Sequence, residues 1–340
     1  VKPGKTANSS PRLGQAEGAG RPTGGAAPAD RTPAWRVSQA SSQQPPDEQD
    51  RVLTPGTLLM ALHERAARAR RLGAIHSIHT ITEVLEQDGV AFQIKVMQSN
   101  AKPVSGAPAN RNPFLPYDPD LFVASISPTH VALLNKYSVL EPHLLIVTRA
   151  FEDQRAQLTQ KDCEALLAAL TEIDGLAFYN AGQEAGASQA HKHLQIVPLA
   201  ETGLSPLPIE PLLRFTHMEN PVGTVPGLPF RHACAPMDAD WINPEKDSGA
   251  SAHACYRALL RAAGLSVEAS TGSQAMTGPY NLLATRKWLL LVPRSEECFE
   301  GVSINALGFA GALLAKSPAQ LAALRRHGPM TALRRVALPP

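Results

Sequence analysis

YNAGQEAGASQAHKHLQIVPL, residues 179–199, decides how this chain is read. The segment LAFYN (176–180) and the segment HKHLQIVPL (191–199) are short, apolar and rich in β-branched and aromatic residues, which reads as two strands. Between them lie ten residues with no helical period, too few for a parallel crossover, so the pair is expected to be antiparallel. Side chains alternate along a strand. His191, His193 and Gln195 therefore share one face, and Lys192, Leu194 and Ile196 the other. Two imidazoles and an amide make poor core filler. The preceding loop, Gly182 to Gln189, offers small residues, backbone N–H groups and the Ser188 hydroxyl, a composition suited to an anion. An imidazole beside an anion-binding loop is what phosphoryl or nucleotidyl transfer requires, because neutral imidazole can attack phosphorus. Taken alone, the pattern is equally that of two ordinary core or surface histidines. H-x-H can also present two ligands to a zinc ion, which then needs a third.

Working outward, residues 159–174 predict a helix: Thr159 and Asp162 form a variant capping box, Cys163, Leu166, Leu167, Leu170 and Ile173 repeat at helical spacing, and Gly175 stops it. Upstream, Val90, Phe92, Ile94 and Val96 alternate with less apolar neighbours behind Asp88-Gly89, a hairpin signal. Strands are expected at 121–126, 131–134 and 143–149, after a proline-punctuated extended loop at 101–120. Thr54-Pro55 reads as a cap and first helical position ahead of Leu58, Leu59 and Leu62. Downstream, 200–245 is proline-rich and irregular. A helix at 251–263, strands at 280–285 and 287–293, and helices at 304–315 and 317–327 follow, the last opened by Ser317-Pro318. Helices mixed with antiparallel strands give the class α+β. The division is a disordered tail (1–50), an N-terminal catalytic domain (51–200), a proline-rich connecting segment (201–250) and a C-terminal domain (251–340). The tail holds seven Pro and six Gly but only Val1, Leu13 and Val37 from the Leu/Ile/Val/Phe set, too little to offset the entropy of ordering it. Because its first residue is Val, the start is expected to be that of a fragment or an upstream extension.

Composition excludes several classes. A formal charge of +2 provides no field to recruit nucleic acid or a membrane surface. The longest apolar clusters, HLLIV and WLLLV, are strand-sized, so no membrane span is expected. Cys163, Cys234, Cys255 and Cys298 include no CxxC pair, which speaks against a disulfide scaffold. His232/Cys234 and His253/Cys255 form two H-x-C pairs, chemically adequate for zinc, although the second lies on a helical pattern where i and i+2 diverge.

GASQAHKHLQ preceded by FYN resembles the histidine-triad superfamily, and within it the ATP adenylyltransferase (diadenosine tetraphosphate phosphorylase) family. NPFLPYDPDLFV (112–123), LLNKYSVLEPHLLIVTRAFE (133–152), YNLLATRKWLLLVPRS (280–295) and INALGFAGALL (304–314) are similar to stretches of that family in the same order. The resemblance implies a histidine-triad-like antiparallel sheet with flanking helices, completed by the C-terminal α+β domain. It implies phosphorolysis of the tetraphosphate to ATP and ADP, and the reverse adenylyl transfer. His193 would be the nucleophile. Gln195, standing where hydrolases place a third histidine, marks a transferase. Substrate contacts would come from Lys102, Asn135, Lys136, Asn180, Gly186, Ala187, Ser188, Gln189, Tyr280, Asn281 and Arg286, with His191 as a supporting residue. Nucleotides and phosphate would be the partners of a cytoplasmic monomer that takes no nucleic acid. No bound cofactor is implied beyond the adenylyl-histidine, and magnesium would accompany the substrate with no metal site on the protein. Two rivals share the motif: a hexose-1-phosphate uridylyltransferase, and a nucleotide-binding protein without catalysis.

Overall fold

The computed structural model describes residues 52, 54–98, 112–213, 222–243, 245–266 and 278–340, which all belong to one compact unit, 34–340. The expected tail and most of the 101–120 loop, Lys102 included, lie outside them. Helix α1 (Leu58–Leu72) buries Leu58, Leu62, Ala66 and Ala69, the stripe of an amphipathic helix. Its cap is Thr57 and not Thr54: the Thr57 hydroxyl donates back to the Thr54 carbonyl, so Pro55 serves a turn ahead of the helix. β1 (Thr80–Gln87) and β2 (Val90–Met97) form the expected hairpin, with Asp88 at φ 52° and Gly89 at φ 77° in its two-residue turn.

β3 (Phe122–Ser127), β4 (His130–Leu134) and β5 (Leu144–Thr148) follow as expected. α2 (Gln160–Glu172) carries the full Thr159/Asp162 capping box. Gly175 does not stop it. It opens β6 (Gly175–Ala181), where a Cβ would lie 2.8 Å from the Val197 carbonyl of β7 (His193–Pro198), so the glycine serves strand approach.

The proline-rich segment is less irregular than its composition implies. It contributes strand β8 (Ala233–Pro236) and buries Leu204, Leu207, Ile209, Val225, Leu228 and Phe230. α3 (Gly249–Ala262), β9 (Tyr280–Ala284) and β10 (Trp288–Pro293) lie where expected. The 304–315 segment is not one helix. A single turn at Ala306–Phe309 ends before Gly311, at φ 97° and against Pro208, and the chain continues as strand β11 (Ala312–Ala315). α4 (Pro318–His327), capped by Ser317, and α5 (Pro329–Val336) close the chain.

Eight strands form one antiparallel sheet in the order β8-β10-β9-β6-β7-β5-β4-β3, and β11 joins the hairpin as β11-β2-β1. Helices α1, α2 and α3 cover one face of the large sheet, where Leu144, Ile146, Tyr179, Leu194, Ile196 and Leu282 share their core. The opposite face is covered in two pieces. Over β3, β4 and β5, Phe114 and Tyr117 pack on Phe122, Val131, Leu133, Leu145 and Val147. Over β6, β9 and β10, the hairpin and C-terminal elements pack on Phe178, Leu283, Leu290 and Val292. β7 lies at the junction. Its His193 pairs with Val147, and its Gln195 with Leu145 on one side and Phe178 on the other, so both face the seam between the two apolar clusters.

Candidate active site

At that seam His193 is buried, and burial pushes its imidazole down to about 4, so the ring is neutral near pH 7. Its Nδ1 lies 2.8 Å from the His191 carbonyl. A carbonyl only accepts, so Nδ1 carries the hydrogen and Nε2 the lone pair. Phe114 stands 5.4 Å away, ring centre to ring centre, as an apolar wall.

His191 stands two residues before His193 on the same face. Its Nε2 donates to the Thr148 carbonyl at 2.7 Å, and its Nδ1 accepts from Asn112 at 3.0 Å. Phe114 and Phe151 hold its ring edge-on at 5.6 and 5.5 Å. Both nitrogens are engaged, leaving neither for attack.

Lys192 departs from the expected apolar face. It is fully buried, with its ammonium 2.6 Å from Glu152 and 3.1 Å from Asp162. Asp162 also accepts from His130 at 2.9 Å. Burial opposes ionisation of Asp162, yet the His130 hydrogen bond and the Lys192 charge hold it near 2. The ion pair thus fastens the start of β7 to the α2 cap.

In the glycine-containing loop, the N–H groups of Ala185, Gly186 and Ala187 turn inward to the carbonyls of Gly182, Gln183 and Gly182 again. Gly186 packs against Asn305, where a Cβ would come within 2.8 Å. Ser188 is exposed and Gln189 half-buried. Asn180 comes to the same face as His193. Its Oδ1 accepts from Asn281 at 2.8 Å and from the Ala306 N–H at 3.0 Å. Asn281 is completely buried, donates also to the Ala185 carbonyl, and accepts from Arg294. It orients Asn180 and is itself spent.

Other expected contacts stand elsewhere. Tyr280 lies on the helix-covered face, its hydroxyl 2.6 Å from that of Tyr256. Arg286 sits in the β9–β10 turn and donates to the carbonyls of Leu170 and Thr171 at the end of α2. Lys136 pairs loosely with Asp118 at 3.6 Å, both partly exposed. Asn135 donates to His143 Nδ1 at 3.2 Å.

His143 was not singled out in the sequence. It stands two residues before Leu145 and four before Val147, the partners of Gln195 and His193, and that spacing was the available signal. Its Nδ1 lies 3.1 Å from the Ser138 hydroxyl oxygen and 3.2 Å from the Asn135 amide nitrogen. Its Nε2 is buried without a hydrogen-bond partner, and burial pushes the ring down to about 4, with the nearby Gln195 amide opposing the shift.

The two H-x-C pairs do not converge. His232 accepts from the Val225 N–H, Cys234 donates to the Gly223 carbonyl, and His253 donates to the Leu158 carbonyl. Among the described residues no three His, Cys, Asp or Glu side chains group as metal ligands, and no helix is long and apolar enough to cross a membrane.

Comparison with known proteins adds to this geometry. The Ap4A phosphorylase N-terminal domain matches residues 48–215, and the ATP adenylyltransferase C-terminal domain matches residues 226–339. Diadenosine 5',5'''-P1,P4-tetraphosphate phosphorylase 2 of Saccharomyces cerevisiae is 28% identical over 295 residues, covering 78% of this chain and 89% of its own. Protein APA1 of the same yeast is 29% identical over 201 residues, 54% of this chain and 61% of its own. The crystal structure of yeast Ap4A phosphorylase Apa2 superposes with a TM-score of 0.69 at 26% identity, over 83% of this chain and 97% of that one. The chain belongs to the Ap4A phosphorylase family, with its N-terminal domain joined to the ATP adenylyltransferase C-terminal domain.

Proposed function

We propose that the chain cleaves diadenosine tetraphosphate with inorganic phosphate to give ATP and ADP, and runs the reverse adenylyl transfer, through an adenylyl group carried on His193. The observation that carries this reading is the His193 tautomer: a neutral ring, Nδ1–H anchored on the His191 carbonyl, Nε2 presenting the lone pair. Attack of Nε2 on the α-phosphorus breaks the bond to the bridging oxygen, and ATP leaves with the electron pair. The ring becomes cationic as the N–P bond forms, which strengthens the hydrogen bond to the His191 carbonyl. A phosphate oxygen then attacks the same phosphorus, the N–P bond breaks, ADP departs and the imidazole is restored. Related proteins support the substrate: the yeast relative is named for diadenosine tetraphosphate, and yeast Apa2 has been crystallised with Ap4A and with AMP.

Gln195, Asn180, Ser188 and Gln189 are proposed to contact the nucleotide, with Lys136 and Lys102 toward the polyphosphate. Magnesium enters as the counter-ion of that polyphosphate and belongs to the substrate. The chain is proposed to act as a monomer, and the free Cys163, Cys234, Cys255 and Cys298 suit a reducing cytoplasm.

The test offers Ap4A with and without phosphate and separates the products. ATP and ADP should form only when phosphate is present. Ap4A or ADP labelled in its adenosine should mark the wild type covalently, with ATP or phosphate as the leaving group, and His193→Ala should lose both label and turnover. Near wild-type turnover in that variant overturns the mechanism.

A further inference from the structure

We infer that Gln154 is a positioning residue for this reaction, holding the backbones of His193 and Asn180 where their strands part. The β6–β7 ladder runs from Gly175–Pro198 to Phe178–Gln195 and stops, while the β5–β7 ladder continues to Val147–His193. On an antiparallel strand, successive residues direct their N–H and C=O to opposite neighbours. The Lys192 carbonyl accepts from the Thr148 N–H on the β5 side, so His193 directs its own groups toward β6, where no strand partner remains.

The Gln154 carboxamide fills that gap. Its Oε1 accepts from the His193 N–H at 2.8 Å, and its Nε2 donates to the His193 carbonyl at 3.2 Å and the Asn180 carbonyl at 2.9 Å. One acceptor and two donors let it replace a backbone peptide. Gln154 is 1% exposed, its own N–H donates to the Ala190 carbonyl, and its carbonyl accepts from the Tyr179 hydroxyl. The inserted amide keeps β6 and β7 apart at His193, leaving room for loop 182–190 beside the nucleophile without stranding a buried peptide group.

A displaced nucleophile slows attack more than it weakens binding, because in-line geometry is lost over fractions of an ångström. The inference rests on His193 being the nucleophile. Gln154→Met keeps the length and removes all three bonds, and Gln154→Glu keeps the acceptor but sets an oxygen against two carbonyls. Assayed below their unfolding midpoints, both should lose kcat, by about tenfold or more for Met, with KM for Ap4A changed less than about twofold. Hydrogen exchange on the wild type should show the His193 amide as protected as those of Leu194 and Ile196, and Gln154→Met should lose protection at His193 alone. Wild-type kcat in either variant, kcat and KM moving together, or an unprotected His193 amide in the wild type overturns the inference. If Met does not fold, the Glu kinetics and the wild-type exchange decide it. A wild type that leaves Ap4A intact refutes the functional reading instead, and the exchange result still judges the role of Gln154.

Discussion

Three neutral imidazoles in one seam give the site a defined pH behaviour. Burial, the largest cause for each, takes His143, His191 and His193 from 6.5 to about 4. The unfolded chain binds protons at these rings below about pH 6.5, while the folded chain resists until about 4. Their contribution is therefore complete above 6.5 and drains as the pH falls through the interval to 4. The thermal midpoint should hold level from pH 8 to near 6.5 and then decline, and a midpoint unchanged at pH 5 would contradict burial of neutral rings. In the proposed mechanism Gln195 sets the reaction type. It lies between Leu145 and Phe178 in the ladder and has no proton to exchange near neutrality. A histidine there could serve as a general base for water. Gln195→His should release AMP alongside ATP when phosphate is withheld, whereas the wild type should release none. Product chromatography without AMP from the variant would mean that the apolar walls, and not the missing base, keep water out.

Local elements were legible wherever sequence alone dictates them. The α2 capping box, the Asp88-Gly89 hairpin and the HKHLQIVP strand depend on neighbours within a few residues, and each formed as read. The failures needed distant partners. Gly175 looked like a helix stop because the proximity of Val197 cannot be seen in one strand, and 304–315 looked like one helix because β2, the partner of β11, lies more than two hundred residues upstream. In the site the same limit applies. The H-x-H-x-Q face was readable from alternation, but His143 and Gln154 come from other elements, and the ion pair of Lys192 required knowing where α2 begins. Asp162 shows how tightly these elements interlock: one carboxylate caps α2 through Thr159, receives His130 and balances Lys192. Asp162→Asn should lower folding stability by about 3 kcal/mol in denaturant titration, since it leaves the buried ammonium with the partly exposed Glu152 as its one remaining carboxylate, beside the Gln157 carbonyl. A loss under about 1 kcal/mol would show that Glu152 alone satisfies Lys192.

The two family segments share a single sheet. β6, the last N-terminal strand on that side, pairs with β9 of the C-terminal segment over five residues, and β10 and β8 extend it. In the other direction, C-terminal β11 joins the N-terminal hairpin in parallel. Arg294 adds a polar joint: its guanidinium is buried, lies 5.2 Å from the Phe309 ring, and bonds the Val336 and Glu296 carbonyls as well as Asn281 beside Asn180. Neither segment can open without exposing an unpaired strand edge and part of a common apolar core. Unfolding should therefore be one cooperative transition. Far-UV circular dichroism follows both segments, while tryptophan fluorescence draws on Trp35, Trp241 and Trp288, of which Trp288 is buried in β10. The two signals should share a midpoint and a slope in denaturant, and a chain cut after residue 213 should expose the β6 edge and aggregate. Two separated transitions, or a well-folded fragment, would show that the shared sheet is a docking contact between independently stable halves.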